Sequence, residues 1–289
     1  MRAQVSLTPT ESKSLISKAV IKLDIVQRAL NNGTVAIHPS STTVFIMKEL
    51  FGKMPDVWML GVVLPRGTCH MGPVTEGTPE SIRPADLSAR AGSFRRLWVL
   101  KKGLLQTDLT LDSTVRDMGV DDVYIKAPNA IDSEGNTGVM LASEAGGSVA
   151  RMMGYALGRG FNVVIPVGLE KLIPTSIREV VKETGVKKMD YAMGIPVGMY
   201  PLQGTVITEV NALEILTGAT AVPIGAGGVG GAEGSVTLVI KGEAGQVKKA
   251  IEIVEAIKGL KLPEIRLPNC PCKRESCHLA RARETEWKE

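Results

Sequence analysis

The apolar residues near the start of the chain recur every three or four positions, a spacing typical of a helix with one buried face. Thr8 is followed by Pro9, and Glu11 lies three positions after Thr8, which together are the start signal of a capped helix. Gly33, after two asparagines, predicts where the helix ends. The apolar positions of this predicted helix are Leu15, Ile16, Ala19, Val20, Leu23, Val26 and Leu30.

After Gly33 the pattern changes to short apolar runs that alternate with helical stretches. The run at residues 57–64 is almost continuously apolar, as in a strand that is buried on both faces. Strands that alternate with helices predict an α/β fold, a Rossmann-like, mostly parallel sheet with helices on both faces. The other predicted strands are residues 34–38, 97–100, 122–126 and 161–167, and the predicted helices are residues 44–50, 112–118, 143–157 and 175–184.

A second pattern begins near residue 189, where glycines and prolines predict a turn-rich connection. Beyond it the order is strand, helix, strand, strand and helix over residues 205–260, which predicts a smaller C-terminal α+β (βαββα) subdomain. The chain is therefore expected to divide into a Rossmann-like ligand-binding domain (residues 1–188), the small subdomain (residues 189–262) and a cysteine-containing tail (residues 263–289).

Composition narrows the class of protein. The chain has 289 residues, of which 44% are hydrophobic and 22% are charged, values typical of a soluble globular protein. No run approaches the roughly 20 apolar residues that span a bilayer, and the first residues lack a secretory signal. We therefore expect a cytoplasmic protein with no membrane partner, and we also expect a homo-oligomer. The net charge of +4 is interspersed and only 4% of the residues are aromatic, which argues against nucleic acid as a partner.

Four consecutive hydroxyl residues follow the predicted strand at residues 34–38. They precede a predicted helix, so hydroxyls and backbone N–H groups would gather at the positive end of the helix dipole, an arrangement that binds phosphate or carboxylate. The alternative is an ordinary helix N-cap with extra polar neighbours. These candidate ligand-binding residues are Ser40, Ser41, Thr42 and Thr43.

Polar residues are also dense after the predicted strand at residues 122–126. Open α/β sheets bind ligands at the carboxyl ends of their strands, which is where this segment begins. We expect ligand-binding roles for Lys126 and Asn129 and a catalytic role for Asp132. The alternative is a tight turn, which Asp and Gly favour, and Gly135 is assigned to that role.

Two further charged residues occupy comparable positions. Glu144 lies just before a predicted helix, where a carboxylate commonly complements the helix dipole. It could instead be catalytic, as a nucleophile or a general base. Lys171 follows the strand predicted at residues 161–167 and could bind an anionic ligand, although lysines are also common on protein surfaces.

Residues 225–230 match the pattern G-x-G-x-x-G. That pattern indicates dinucleotide binding only where it follows a strand and opens a helix. Here the next predicted element, residues 235–240, is a strand. The glycine-rich residues 225–234 are therefore expected to form a hairpin loop or a flap.

Soft metal ligands are concentrated near the end of the chain. Their spacing, C-x-C followed by C-H, could hold zinc or an iron–sulfur cluster, with Cys69, His70 or another chain completing the site. The alternative is a reduced, mobile tail. The candidate ligands are Cys270, Cys272, Cys277 and His278.

Three segments, in the same order, resemble the superfamily of ribose-5-phosphate isomerase, glucosamine-6-phosphate deaminase and CoA transferases, and most of all its LUD (lactate-utilisation) proteins. They are residues 31–50 (NNGTVAIHPSSTTVFIMKEL), 121–136 (DDVYIKAPNAIDSEGN) and 161–174 (FNVVIPVGLEKLIP). The resemblance implies a Rossmann-like fold with a ligand over the strand ends. It also implies CoA as a possible cofactor and Glu144 as a possible acyl-accepting nucleophile, but residues 143–146 lack the asparagine of the CoA-transferase loop.

The sequence therefore predicts a protein that binds a small anionic metabolite such as a sugar phosphate or an organic acid, with turnover of that metabolite by proton transfer as an open question. Thr42 and Thr43 would hold the anion, Asp132 or Glu144 would act as the base, and Lys171 would supply a counter-charge. The alternatives are a CoA transferase that uses Glu144 and a non-enzymatic sensing or redox-partner protein with a metal-binding tail.

Overall fold

The computed structural model describes residues 1–55, 61–64, 67–69, 97–106 and 108–262. His70 and the four predicted metal ligands of the tail lie outside the described residues. In the part of the chain that the structure describes, none of the helices combines the length and the hydropathy that crossing a bilayer requires.

The described residues form eight α-helices, fourteen strands and one 3-10 turn at Leu169–Lys171. The helices are α1 (Pro9–Val20), α2 (Asp24–Asn32), α3 (Thr43–Phe51), α4 (Leu111–Asp117), α5 (Gly147–Arg159), α6 (Ile177–Glu183), α7 (Glu209–Thr217) and α8 (Ala244–Ala256). The strands are β1 (Arg2–Leu7), β2 (Thr34–Ile37), β3 (Val62–Leu64), β4 (Gly67–Cys69), β5 (Trp98–Lys101), β6 (Leu104–Gln106), β7 (Val123–Ile125), β8 (Ala130–Ile131), β9 (Thr137–Leu141), β10 (Asn162–Pro166), β11 (Gly198–Leu202), β12 (Thr205–Ile207), β13 (Thr220–Gly227) and β14 (Ser235–Lys241).

The largest sheet has six strands in the order β12–β10–β7–β2–β5–β6. The first four are mutually parallel, and β5 and β6 add an antiparallel hairpin at one edge. Every residue of β2 and β7 is buried, as expected of strands with helices on both faces. The predicted α/β, Rossmann-like fold with a mostly parallel sheet is confirmed.

The two faces of this sheet pack against different helices. Side chains alternate along each strand, so Val35 and Ile37 face a core shared with α1 and α3. Ala36 and Tyr124 face the opposite core, which contains the apolar side of α5. Because helices cover both faces within the described part of the chain, a ligand of this sheet is expected at the ends of its strands.

A small antiparallel sheet of the order β1–β14–β13 packs with α7 and α8. Its membership differs in detail from the predicted βαββα unit. Residues 205–207 join the large sheet beside β10, and the third strand of the small sheet is β1. Ala3, Val5 and Leu7 alternate toward the core, a pattern too short for the sequence analysis to separate from the start of α1.

Several predicted elements are present with changed limits. The first helix has its predicted capping box at Thr8 but is interrupted after Val20, and a second helix continues to Asn32. Helix α5 begins only at Gly147, because Gly146 and Gly147 both have positive φ. Of the predicted buried strand at residues 57–64, the described part forms a hairpin with β4, and Val63 is 61% exposed, so it is not a strand of the main sheet.

Candidate functional site

The carboxyl ends of the four parallel strands lie along one edge of the main sheet, and charged residues follow three of them. Lys126 follows β7, Lys171 lies in the 3-10 turn after β10, and Glu209 opens α7 after β12. This is the edge at which open α/β sheets bind their ligands. We call these residues, with Lys13 and Glu170 described below, the edge cluster.

The hydroxyl loop after β2 mainly caps α3. The Ser40 hydroxyl accepts from the backbone N–H groups of Thr42 and Thr43, at 3.2 and 3.0 Å. Thr43 Oγ1 in turn donates to the His38 carbonyl at 2.7 Å. Thr42 Oγ1 is buried and has no hydrogen-bond partner among the described residues, while Ser41 is half-buried. Of the two buried hydroxyls, Thr43 Oγ1 is engaged and Thr42 Oγ1 has no partner within the described residues.

Asp132 is buried and its carboxylate is already engaged. Its oxygens accept from the backbone N–H groups of Glu134, Asn136 and Ile177 at 2.9 to 3.0 Å, and from the Asn136 side-chain amide. Burial alone would raise the pKa of Asp132, but these hydrogen bonds, that from Ile177 first, lower it below its ordinary value. A carboxylate held in this way organises a turn, so we do not assign it as a base.

Asn129 is also held by hydrogen bonds within the fold. Its backbone N–H donates to Gly138 O at 2.8 Å, and its side-chain oxygen accepts from Met140 N at 3.0 Å. These bonds tie the loop after β7 to β9. Gly135 has φ +84°, which suits the turn role assigned to it.

Glu144 lies in the loop before α5 and forms an ion pair with Lys187 at 2.9 Å. Its side chain is 64% exposed. Because the carboxylate is exposed and paired, its geometry adds no support for the acyl-transfer alternative.

The two predicted lysines meet at the ends of β7 and β10. Lys126 is buried, and its Nζ donates to Ala127 O at 2.6 Å. Lys171 is half-buried, and its Nζ donates to Pro128 O at 2.8 Å. The two ammonium groups therefore bind successive carbonyls of one loop. Among the residues that the structure describes, no carboxylate forms an ion pair with either of them.

Three buried groups that sequence reasoning missed complete the edge cluster. Lys13 of α1 lies 3.4 Å from Glu170 Oε1. The two Glu170 oxygens are buried and have no hydrogen bond within the described part of the chain. Glu209 accepts from Leu169 N with both oxygens, at 3.1 and 3.0 Å, and from the Ser12 hydroxyl.

One of these three carried a usable signal. Glu209 follows β12 as Lys126 follows β7. The predicted strand at residues 205–210 included Glu209, so the strand-end rule would have selected it only if that strand had been predicted to end at Ile207. Lys13 is one of several lysines on an amphipathic helix, and nothing in the sequence sets it apart. Glu170 lies beside Lys171, but only the fold shows that its carboxylate bends back over Gly168, where a Cβ would lie 1.8 Å from Oε2.

Burial and the positive charges of neighbouring lysines lower the pKa of both Lys126 and Lys171. Burial lowers the pKa of Lys126 to about 7, and the neighbouring charge of Lys171 contributes to the same shift. Burial also lowers the pKa of Lys171 to about 8; Glu170 and Glu209 oppose this shift, and Lys13 adds to it. At neutral pH, Lys126 is therefore divided between ammonium and free amine.

Burial has the opposite effect on Glu209, whose pKa it raises to about 7, and the charge of Glu170 reinforces the shift. Between about pH 4.5 and 7 the folded protein keeps a proton that the unfolded chain has lost, so native stability falls as the pH rises through this window. Glutamine at position 209 cannot titrate, so the Glu209→Gln variant lacks this pH dependence. From pH 5 to pH 8, its free energy of unfolding should therefore rise by about 3 kcal/mol relative to that of the native protein.

Urea unfolding of both proteins at the two pH values measures this difference. Glu214→Gln is the matched control, because Glu214 is an exposed residue of the same helix. The control should show no change with pH relative to the native protein. If the free-energy difference between Glu209→Gln and the native protein were also the same at both pH values, Glu209 would be ionised in the folded protein at pH 5.

The glycine-rich loop approaches this edge. Strands β13 and β14 are antiparallel; residues 225–227 extend β13 and residues 228–234 connect it to β14. The segment is therefore a hairpin, as predicted, rather than a dinucleotide-binding turn. Gly234, with φ +78°, lies against the ring of Pro9, and a Cβ there would lie 3.6 Å from Glu170 Cβ. The base of the loop thus borders the edge cluster.

The chain was compared with known proteins, and its described side chains were searched for metal-binding groups. Within the described ranges, no group of three or more His, Cys, Asp or Glu side chains is arranged to hold a metal ion. No protein-family model, curated protein or solved structure matches the chain.

Proposed function

We propose that the protein binds a small anionic metabolite at the carboxyl edge of its main sheet, with Lys126 and Lys171 as the cationic contacts. The observation that carries the proposal is the pair of strand-end ammonium groups, each held by a backbone carbonyl and neither ion-paired with a described carboxylate. Buried charges are normally paired, because an uncompensated charge in the interior is costly. A phosphate or carboxylate of the ligand would supply the missing counter-charge.

The hydrogen-bonding capacity of the cluster supports the same ligand class. Each lysine has three N–H donors and uses one of them on a backbone carbonyl, which leaves donors for an anion. The buried Glu170 oxygens, which accept no hydrogen bond within the described part of the chain, supply acceptors for hydroxyl groups of the same molecule. A sugar phosphate or a small organic acid combines these features.

The proposal keeps the ligand class implied by the resemblance to the ribose-5-phosphate isomerase, glucosamine-6-phosphate deaminase and CoA-transferase superfamily. It assigns binding to the edge cluster rather than to Asp132 or Glu144. A cytoplasmic location and a homo-oligomeric state belong to the same proposal.

Thermal unfolding in the presence of phosphorylated sugars, small carboxylates and CoA esters tests the proposal. A ligand at a hundredfold excess over its Kd stabilises the native state by about 2.7 kcal/mol. We expect at least one phosphate or carboxylate to raise the Tm. Lys171→Met should weaken its binding about 10- to 100-fold, because a charge-assisted hydrogen bond is lost.

Lys22→Met is the matched control, since Lys22 is an exposed lysine outside the edge cluster. This variant should bind the same ligand with unchanged affinity. A screen in which no anion raises the Tm would contradict the proposal. So would a stabilisation that is the same in the native protein and in Lys171→Met.

A further inference from the structure

Lys126 has the surroundings of a nucleophilic amine rather than those of a structural cation. The residue is only 7% exposed, and its Nζ donates to the neighbouring Ala127 carbonyl and to no other acceptor among the residues that the structure describes. A buried lysine that served the fold alone would be expected to pair with a carboxylate. The described carboxylates of the edge cluster are engaged elsewhere, Glu170 by Lys13 and Glu209 by Leu169 N.

Lys171 contributes a second cation beside the first. The two side chains bind the adjacent carbonyls of Ala127 and Pro128, so the positive charge of one disfavours that of the other. Burial together with a neighbouring cation is a general way to convert a lysine into a neutral amine that attacks carbonyl carbon. The half-buried Lys171 keeps its proton to higher pH, because Glu170 and Glu209 oppose its deprotonation.

We infer that Lys126 forms an imine with a carbonyl group of the ligand, while Lys171 faces the anionic group of the same molecule. The inference rests on the proposed anion-binding function and narrows the ligand to a small acid that carries a ketone or an aldehyde. Two classes fit this description, the 2-oxo acids and the phosphorylated ketones or aldehydes.

The reaction uses groups that are already in place. The Lys126 Nζ lone pair forms a bond to the carbonyl carbon, and the π electrons of the C=O bond move to oxygen. The oxygen takes a proton from the Lys171 ammonium, and the attacking nitrogen returns one to Lys171, which gives a carbinolamine. A second proton from Lys171 then lets the hydroxyl leave as water, and the nitrogen lone pair forms the C=N bond. The sum is amine, carbonyl and one proton giving protonated imine and water.

Borohydride reduction tests the inference, because it converts an imine into a stable secondary amine. The native protein is incubated separately with pyruvate and with dihydroxyacetone phosphate, reduced, and analysed by intact mass and peptide mapping. We expect a single adduct on Lys126 with at least one of the two probes. Lys126→Arg replaces the amine with a guanidinium, which cannot form the imine, and its adduct should fall by about tenfold or more. Lys22→Met should react like the native protein.

Melting temperatures measured without borohydride separate this inference from the proposed function. A probe that raises the Tm in a Lys171-dependent way but leaves no adduct overturns the imine and leaves anion binding intact. Adducts spread evenly over exposed lysines, Lys22 among them, also overturn it, and peptide mapping of the native protein shows this even if Lys126→Arg does not fold. Two probes that neither stabilise the protein nor form an adduct overturn the inference and count against the proposed function. Propionate, which has a carboxylate but no ketone, should stabilise without forming an adduct.

Discussion

Replacing Lys126 with methionine is expected to stabilise the protein by about 4 kcal/mol at pH 6. Burial lowers the pKa of Lys126 from 10.5 to about 7, so protonating this residue is less favourable in the folded protein than in the unfolded chain. Below pH 7 this difference in pKa destabilises the folded protein by about 5 kcal/mol, which the methionine variant recovers. The variant also loses the hydrogen bond to Ala127 O, which reduces the stabilisation by about 1 kcal/mol. The stabilising effect should shrink as the pH rises from 7 toward 10.5, where the unfolded chain also loses its proton.

Guanidinium unfolding at pH 6 and pH 9.5 measures this effect. Lys22→Met, which removes an exposed lysine, should change the free energy of unfolding by less than about 0.5 kcal/mol at either pH. The same Lys126→Met variant should lose the anion-dependent rise in Tm, because function and stability are opposed at this residue. A variant that is less stable than the native protein at pH 6 would show that the ammonium is well compensated in the fold.

Replacing Asp132 with alanine is expected to destabilise the protein by about 4 kcal/mol. The carboxylate is buried and accepts backbone N–H groups from Glu134, Asn136 and Ile177, and each would be left without a partner. A lost bond to a buried charged group costs about 1.5 to 3 kcal/mol, and the contributions are not fully additive. Because its pKa is lowered in the folded state, the contribution of Asp132 is present above the pKa of the unfolded chain and is lost as the pH falls through the folded pKa.

Urea unfolding at pH 7 and pH 3 tests this expectation, with Asp190→Ala as the control for removing an exposed aspartate. Asp132→Ala should show a smaller deficit relative to the native protein at pH 3 than at pH 7, because the lowered pKa of Asp132 makes its contribution decline as the pH falls below the pKa of the unfolded chain. A loss of less than about 1 kcal/mol at pH 7 would contradict a turn-organising role. That outcome would return Asp132 to the list of candidate bases.

The catalytic assignment of Asp132 shows where sequence reasoning stops. The position of a residue after a strand can be inferred from local patterns, and Lys126 and Lys171 were located in this way. Whether a carboxylate is free depends on partners that are distant in the chain. The N–H of Ile177, which binds Asp132, is 45 positions away, and no local pattern reports that contact.

The same limit applies to the fold. The continuous apolar run at residues 161–167 correctly predicts a buried parallel strand, β10. The similar run at residues 57–64 does not, because its described part pairs with β4 outside the main sheet. The pairing of a short strand is a different matter. Residues 205–207 carry no mark that places them beside β10 rather than in the small sheet, and the alternation of Ala3, Val5 and Leu7 becomes meaningful only once β14 is opposite them.

The edge cluster shows a third limit of sequence reasoning. Whether a buried charge is balanced by an opposite one depends on which residues the fold brings together. Lys13 lies in α1, Lys126 directly after β7, and Lys171 in the 3-10 turn after β10. Of the two carboxylates, Glu170 shares that turn and Glu209 lies in α7. Their shifted protonation follows from burial and mutual distance, which composition and spacing do not contain. Sequence reasoning found the two lysines but not the electrostatic reason to select them.

The place of β1 in the small sheet has a consequence for biosynthesis. Ser6 and Thr237, whose hydroxyls lie 2.8 Å apart across β1 and β14, are 231 positions apart in the chain. The ribosome extends a chain at about 5–20 residues per second, so β1 emerges many seconds before its partner strand. Throughout that interval the apolar side chains of β1 pack against something other than β14, and the small sheet can close only after β14 has been synthesised.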